Sequence, residues 1–304
     1  MRILLTGASG SIGAALAPAL TEAGHDVRGF GRDPSRVPAA MDFVGGDAIT
    51  GAGLAEALDD VEVAYFLIHS MEGDGRAGFA DNERAAAKNF VAAAQDAGVR
   101  RVVYLGGLVP QDRAPSRHLR SRLEVERILL AGLPEAVALR ASIVIGARSR
   151  SFRFMVHLVE RMSILTLPAW REHRTQPIDA RDVGSFLLAA ATTPHAVGGL
   201  SLDIAGPDVL TYGQMIERIA DLMLVRRRAL RFGRNATPIA APIAAAIAGE
   251  DTGFITPLME SLAGDLLPRD DRAAKLLGVR LHRFDRAVER ALREWEAGES
   301  LAAR

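Results

Sequence analysis

The chain has 304 residues, 49% of them hydrophobic and 24% charged, which is an ordinary composition for a soluble globular protein. Its 37 basic and 37 acidic residues give zero net charge, so nothing global favours nucleic acid as a partner. The absence of cysteine excludes disulfide bonds, thiolate nucleophiles and cysteine-ligated metals. No segment reaches the roughly 18 uninterrupted apolar residues of a membrane helix, so a cytoplasmic protein without a membrane span is expected.

Short apolar runs alternate with alanine-rich helical patterns over the first two-thirds of the chain. Strands are predicted at residues 2–5, 26–30, 61–68, 102–105, 136–139 and 143–145. Helices are predicted at residues 11–23, 54–58, 78–97 and 116–131. This strand–helix order predicts an α/β fold, a Rossmann doubly wound parallel sheet with helices on both faces.

The regular alternation ends after about Arg148. Helices are predicted at 181–192, 212–224, 238–248 and 284–296, with a strand at 200–204. We therefore expect an NAD(P)-binding Rossmann domain over 1–205 and a small mixed substrate lobe over 206–304, interleaved with 146–180. Such a lobe would cover the carboxyl edge of the sheet, where open α/β sheets bind ligands. Large apolar side chains are candidates for a substrate wall or for the core: Phe152, Phe154, Met155, Met162 and Trp170.

A glycine-rich segment, TGASGSIG, joins the first predicted strand to the first predicted helix. Gly7 permits a tight turn, Gly10 lets the backbone approach a pyrophosphate, and Gly13 permits close packing of helix on strand. The helix N-terminus then offers free N–H groups to the phosphates. The predicted cofactor loop comprises Gly7, Ser9, Gly10, Ser11, Ile12 and Gly13.

The end of the second predicted strand bears on the choice between NAD and NADP. An acidic residue there would bind the ribose 2′-hydroxyl and favour NAD, but Gly31 stands in that place and Arg32 follows. Arginine suits a 2′-phosphate through a forked, charge-assisted contact. NADP(H) is therefore expected in preference to NAD(H), with Arg28 and Arg36 as further candidates; the alternative is that Arg32 is a solvated loop charge.

Several longer segments resemble the short-chain dehydrogenase/reductase superfamily, specifically its extended and atypical members such as the NmrA-like NAD(P)H-binding proteins. The G-x-x-G-x-x-G spacing is followed by AGHDVRGFGRDP, a GGD ending at Asp47, NFVAAAQDAGVRRVVYLGGL, LRASIVIG, QPIDARDV and DIAGPDVLTYGQM. The resemblance implies that Asp47 approaches the adenine. It also implies that Leu67, Ile68 and His69 line the cofactor after the next strand.

The sequence departs from the superfamily at the catalytic Tyr–Lys pair. His118 stands where the tyrosine is expected and Arg122 where the lysine is expected, while Gly106 and Gly107 replace the usual serine or threonine. Arg122 can hold a ribose but cannot release a proton. His118 can exchange a proton near neutral pH, although a nearby arginine disfavours the imidazolium. The alternative is a helix-surface histidine. Tyr104 is a third catalytic candidate, with packing as its alternative.

These observations predict an NADP(H)-dependent oxidoreductase that acts on a small apolar carbonyl, enone or quinone-like molecule. Reduction of a quinone or activated double bond can take its proton from water, so loss of the tyrosine does not abolish redox chemistry. The alternative is a non-catalytic NADP(H)-binding redox sensor, which the missing pair favours; an epimerase or dehydratase of nucleotide sugars would need that pair. We expect a small-molecule substrate, a monomer or homodimer, and no metal.

Overall fold

The computed structural model of the protein describes residues 1–68, 78–162, 164–167, 169–225, 228–231, 259–260 and 262–298. Its strands are β1 (Arg2–Thr6), β2 (Asp26–Gly31), β3 (Asp42–Gly45), β4 (Val63–Phe66), β5 (Arg101–Gly107), β6 (Glu135–Ala141), β7 (Val144–Ile145), β8 (Ile164–Leu167), β9 (Arg174–Thr175), β10 (Ile178–Asp179), β11 (Leu200–Ile204), β12 (Leu210–Thr211) and β13 (Arg228–Arg231). Its helices are α1 (Gly13–Glu22), α2 (Leu54–Leu58), α3 (Phe79–Asp96), α4 (Arg117–Gly132), α5 (Arg150–Arg161), α6 (Ala180–Thr192), α7 (Tyr212–Leu222), α8 (Arg272–Leu276) and α9 (Phe284–Glu296).

Seven parallel strands form the central sheet, in the order β11-β6-β5-β4-β1-β2-β3. The chain runs outward from β1 through β2 to β3, and then returns to β4 on the other side of β1. This reversal opens a crevice at the carboxyl ends of β1 and β4, where ligands bind in open α/β sheets. The predicted Rossmann architecture is confirmed, and β3 is a strand that the sequence pattern did not indicate.

Both faces of the sheet are covered by helices. Along β1, Ile3 and Leu5 belong to an apolar cluster that also contains residues of α1 and α6. Leu4, between them, belongs to a second cluster with residues of α2, α3 and α4. Successive strand residues point to opposite faces, so a strand buried on both sides is apolar throughout.

Helix α5 lies in a region for which the sequence pattern indicated no helix. Ser149 caps the helix by accepting a hydrogen bond from the Phe152 N–H. Phe152, Val156 and Val159 are buried at helical spacing, but aromatic and β-branched residues have low helix propensity and obscured the pattern. Residues of α5, α7 and α9 share one apolar cluster. The helix predicted at 238–248 lies outside the described residues.

Ion pairs and hydrogen bonds attach the C-terminal segment to the sheet edge. Asp203 at the end of β11 accepts hydrogen bonds from the Arg269 guanidinium at 2.8 and 2.9 Å. The buried Asp182 carboxylate accepts from the His282 backbone at 2.8 Å and lies 2.6 Å from its Nδ1. Asp208 accepts from the Phe284 N–H, the first residue of α9. These contacts place α9 beside the crevice.

Candidate functional site

A cleft of about 1370 Å³ runs along the carboxyl edge of the sheet, over the crevice between β1 and β4. Its floor consists of residues that follow the strands, including Gly7 after β1, Leu67 after β4 and Gly107 at the end of β5. The start of α5 and one side of α9 form its outer wall. The cleft therefore occupies the place where this topology binds ligands.

The glycine loop folds so tightly that two of its glycines cannot be replaced without backbone movement. Gly7 has φ +69°, and a Cβ there would lie 2.7 Å from the Leu67 carbonyl oxygen. A Cβ on Gly13 would lie 2.3 Å from the carbonyl oxygen of Gly7. Thr6 fixes the strand ends beneath the loop, since its hydroxyl donates to the Tyr65 carbonyl and accepts from the Leu67 N–H.

Helix α1 begins at the end of this loop without a side-chain cap. Ile12 occupies the N-cap position and makes no side-chain hydrogen bond to the helix. Ser9, Gly10, Ser11 and Ile12 all line the cleft. The positive end of the helix is therefore directed to the cleft, where backbone N–H groups can receive an anion.

One end of the cleft contains two exposed arginines. Arg32 and Arg36 line the cleft beyond the end of β2. Asp33 lies between them, but its Oδ1 already accepts hydrogen bonds from the Ser35 N–H at 3.0 Å and the Ser35 hydroxyl at 2.6 Å. These contacts hold the pKa of Asp33 below its usual range, with the Ser35 hydroxyl as the main cause. Arg28 instead donates to the Asp42 carboxylate and to the carbonyl oxygens of Glu56 and Asp59 at the end of α2, so it is a structural residue.

The loop after β3 forms the next part of the wall. Asp47 and Ile49 line the cleft, and the Asp47 carboxylate accepts a 2.8 Å hydrogen bond from the Ile49 N–H. Asn89 supports the loop from α3, donating its amide to the carbonyl oxygens of Ala48 and Ile49 at 3.2 and 2.8 Å. Asn89 thus holds this part of the cleft wall in position, at the place where the resemblance to short-chain dehydrogenases/reductases implies the adenine.

His118 and Arg122 lie one turn apart on α4, and both line the cleft. His118 is half-buried, with its ring 5.9 Å from that of Phe79 on α3. Burial, and secondarily the charge of Arg122, lowers the pKa of His118 to about 3. The imidazole is neutral at physiological pH. Arg122 donates to the Leu105 carbonyl oxygen at 3.4 Å, which holds its guanidinium near the end of β5.

Tyr104, the third catalytic candidate, does not line the cleft. Its ring is buried on the opposite face of β5, 6.3 Å from the ring of Phe66, and its hydroxyl donates to the Arg122 carbonyl oxygen at 3.1 Å. Burial raises the pKa of the Tyr104 phenol well above its usual range. Leu105, the next residue, lines the cleft instead because strand side chains alternate between faces. Tyr104 is not retained as a catalytic candidate.

The neutral state of His118 predicts a specific loss of stability in acid. The pKa of His118 in the folded protein lies below its value of about 6.5 in the unfolded chain. The free energy of unfolding that neutral His118 contributes is therefore present above pH 6.5 and is lost as the pH falls toward 3. Between pH 6.5 and 5 the His118→Gln variant should lose less unfolding free energy than the wild type, by up to about 1.5 kcal/mol. Urea denaturation at several pH values measures this. His195→Gln, which removes an exposed imidazole, is the control; identical pH dependence in wild type and His118→Gln would contradict a neutral, buried His118.

Most of the predicted site residues share this cleft: Gly7, Ser9, Gly10, Ser11, Ile12, Arg32, Asp47, Ile68, His118 and Arg122. Gly13 lies beneath the loop rather than on the cleft wall, and His69 lies outside the described residues. Sequence patterns missed Phe79 and Asn82 on α3, Arg181 and Ser185 on α6, and Arg290 and Glu294 on α9. No local signal marks these residues, because only tertiary packing brings their helices to the cleft.

Two further classes of feature are absent from the described part of the chain. No group of three or more histidine, aspartate or glutamate side chains there could hold a metal ion. None of the helices described is long and apolar enough to cross a membrane.

The fold and cleft define the Rossmann-type architecture of short-chain dehydrogenases/reductases. A short-chain dehydrogenase/reductase superfamily protein from Agrobacterium tumefaciens, solved with bound NAD, superimposes with a TM-score of 0.73 at 20% identity, covering 98% of this chain and 99% of that one. Residues 1–221 match the NmrA-like family. The chain belongs to the NmrA-like family, which confirms the resemblance noted in its sequence.

Two curated relatives match shorter parts of the chain. The mitochondrial NADH dehydrogenase [ubiquinone] 1 alpha subcomplex subunit 9 of Arabidopsis thaliana is 28% identical over 164 residues, covering 54% of this chain and 40% of the relative. The 3-beta-hydroxysteroid dehydrogenase of Mycolicibacterium neoaurum is 36% identical over 113 residues, covering 34% of this chain and 31% of the relative. The chain thus spans less than half the length of either relative.

Proposed function

We propose that the protein is an NADP(H)-dependent oxidoreductase that reduces a small carbonyl, enone or quinone-like substrate. Dinucleotide binding is supported by the glycine loop and by the NAD held in the Agrobacterium structure. Residues 1–205 would hold the nucleotide, and the later segments, with 146–180, would cover the substrate.

The observation that carries the NADP preference is the charge at the end of β2. Arg32 and Arg36 line the cleft there, and the Asp33 carboxylate between them uses one oxygen, Oδ1, to accept two hydrogen bonds from Ser35. A ribose 2′-phosphate would meet two guanidinium groups at this place, which outnumber the single Asp33 carboxylate, and Gly31 stands where an acidic residue would select NAD.

The cleft residues suit hydride transfer without a protein acid. When bound, the reduced nicotinamide supplies the hydride. Arg122 would hold the ribose or the substrate oxygen as a permanent cation, and neutral His118 would offer a hydrogen bond. A neutral imidazole has no acidic proton to give at pH 7, so the proton that completes reduction would come from water. Carbonyls activated by conjugation tolerate this better than simple ketones.

Neutral His118, together with the absence of the Tyr–Lys pair, favours the second candidate, a non-catalytic NADP(H)-binding redox sensor. Acceptor-dependent oxidation of NADPH distinguishes the two. The panel would contain 1,4-naphthoquinone, cyclohex-2-enone and benzaldehyde, and NADPH deuterated at C4 would reveal direct transfer to the product. We expect turnover of the quinone or the enone. Transfer of the label is followed with the enone, where it forms a stable C–D bond, because a hydroquinone exchanges its hydroxyl hydrogens with water.

The His118→Gln variant should retain activity within about tenfold of the wild type, because general acid catalysis, whose loss typically costs 10²–10⁴, is not required. Tyr104→Phe serves as the control, since its hydroxyl lies outside the cleft. A loss beyond 100-fold in His118→Gln would contradict water as the proton source. Tight NADPH binding without turnover of any acceptor would favour the sensor.

A further inference from the structure

The cleft carries an excess of positive charge that the nucleotide end does not account for. Seven arginines and three carboxylates line it, in a chain of zero net charge. Arg32 and Arg36 lie at the nucleotide end, and Arg122 lies on α4. The other four lie on the wall formed by the start of α5 and by α6 and α9: Arg148, Arg150, Arg181 and Arg290.

Three of these four side chains have partners within the protein: Arg150, Arg181 and Arg290. The Arg181 guanidinium forms a two-point contact with the buried Asp179 carboxylate, including a 3.1 Å hydrogen bond from Nε. Arg290 lies 2.6 Å from Glu294. By contrast, within the described chain no carboxylate lies within ion-pair distance of Arg148, which is exposed on the cleft wall. Arg148 therefore presents an uncompensated charge to any molecule in the cleft.

The start of α5 adds to the positive electrostatic potential around Arg148. Ser149 is the N-cap, and Ser149, Arg150 and Ser151 line the cleft directly after Arg148. With 12 residues, α5 is long enough to develop a substantial dipole. Its positive end and the Arg148 side chain thus favour a negative group at the same place.

An apolar surface adjoins this charge. Ile143 and Ser151 line both the cleft and a small inner cavity. The cavity lies between α5 and α7, and its walls include Phe154, Met155 and Leu158. A molecule whose anionic group meets Arg148 would therefore have its apolar part next to Ile143 and the mouth of this cavity.

We infer that the substrate is an amphipathic molecule bearing a carboxylate, which Arg148 and the start of α5 bind while its apolar body packs on Ile143. The inference rests on the proposed function in calling this molecule a substrate, but binding of an anion at Arg148 does not itself require catalysis. One uncompensated arginine and one helix start match a single negative charge.

The test compares benzoate with benzamide, which have nearly the same shape and differ in charge. Ligand-observed NMR titration of the full-length protein, with and without saturating NADP⁺, measures both affinities. We expect benzoate to bind at least about tenfold more tightly than benzamide, because one hydrogen bond between charged groups contributes about this factor in affinity. Arg148→Gln should remove this preference, and Arg148→Lys should retain part of it.

Arg127→Gln, at an exposed position of α4 outside the cleft lining, is the matched control and should keep the full preference. Equal binding of benzoate and benzamide, or a preference that persists in Arg148→Gln, would overturn the inference. Failure of the proposed function is distinguishable: the protein would then bind no NADP⁺ or turn over no acceptor, while benzoate discrimination, measured without nucleotide, would remain.

Discussion

Replacement of Gly13 by alanine is expected to weaken NADPH binding by at least about 100-fold, because misplaced backbone donors lose several charge-assisted hydrogen bonds. The new Cβ would lie 2.3 Å from the Gly7 carbonyl oxygen, which is backbone and cannot rotate away. The loop and the start of α1 must therefore separate, and the N–H groups that would bind the pyrophosphate move with them. Isothermal titration with NADPH measures the effect.

A matched alanine substitution is available at Gly45. A Cβ there meets no atom within 4 Å, and Gly45 is exposed at the end of β3. Gly45→Ala should bind NADPH as the wild type does. Circular dichroism establishes that both variants remain folded. A folded Gly13→Ala protein with unchanged affinity would show that the loop does not receive the phosphates.

Replacement of Arg32 by glutamate should reverse the preference between the two nicotinamide nucleotides. NADPH should bind at least about 100-fold more weakly, since a charge-assisted contact with the 2′-phosphate is replaced by repulsion. NADH should bind equally well or better, because the carboxylate can accept a hydrogen bond from the 2′-hydroxyl. Arg32→Ala should lose only about tenfold for NADPH, as Arg36 remains nearby. Competitive titration of both nucleotides measures the ratio.

Arg127→Glu makes the same charge change at an exposed position of α4 outside the cleft lining. It should leave the ratio of NADPH to NADH affinity unchanged at 150 mM salt, where distant exposed charges are screened. If Arg32→Glu and Arg127→Glu weaken NADPH equally, the effect is one of overall charge, and Arg32 does not contact the 2′-phosphate.

The order of strands and helices along the chain could be predicted where the hydrophobic residues follow one clear spacing, either that of a strand or that of a helix. The helix at Phe284–Glu296 and the strand at Leu200–Ile204 were predicted with the bounds that the structure has. Strand β3 was missed because Asp42–Gly45 is short and pairs only at the sheet edge. Helix α5 was missed because Phe152, Val156 and Val159 favour strands by propensity, although their spacing is helical.

The glycine loop could be predicted because every residue of it is contiguous in sequence. The orientation of Tyr104 could not, since β5 is apolar on both faces and its pattern does not reveal which residue faces the cleft. Arg290 and Glu294 reach the cleft only because Asp182 and Asp208 fix the segment before and at the start of α9. Such contacts join residues that are far apart in the chain, and no periodicity encodes them.

The most direct test of the account is equilibrium titration of the wild-type protein with NADPH and with NADH, followed by nucleotide fluorescence. The account predicts saturable binding of both, with NADPH at least about tenfold tighter, as expected for a charge-assisted contact with the 2′-phosphate. Tighter binding of NADH would contradict the role of Arg32. Absence of binding by either nucleotide at millimolar concentration would contradict the oxidoreductase proposal as a whole.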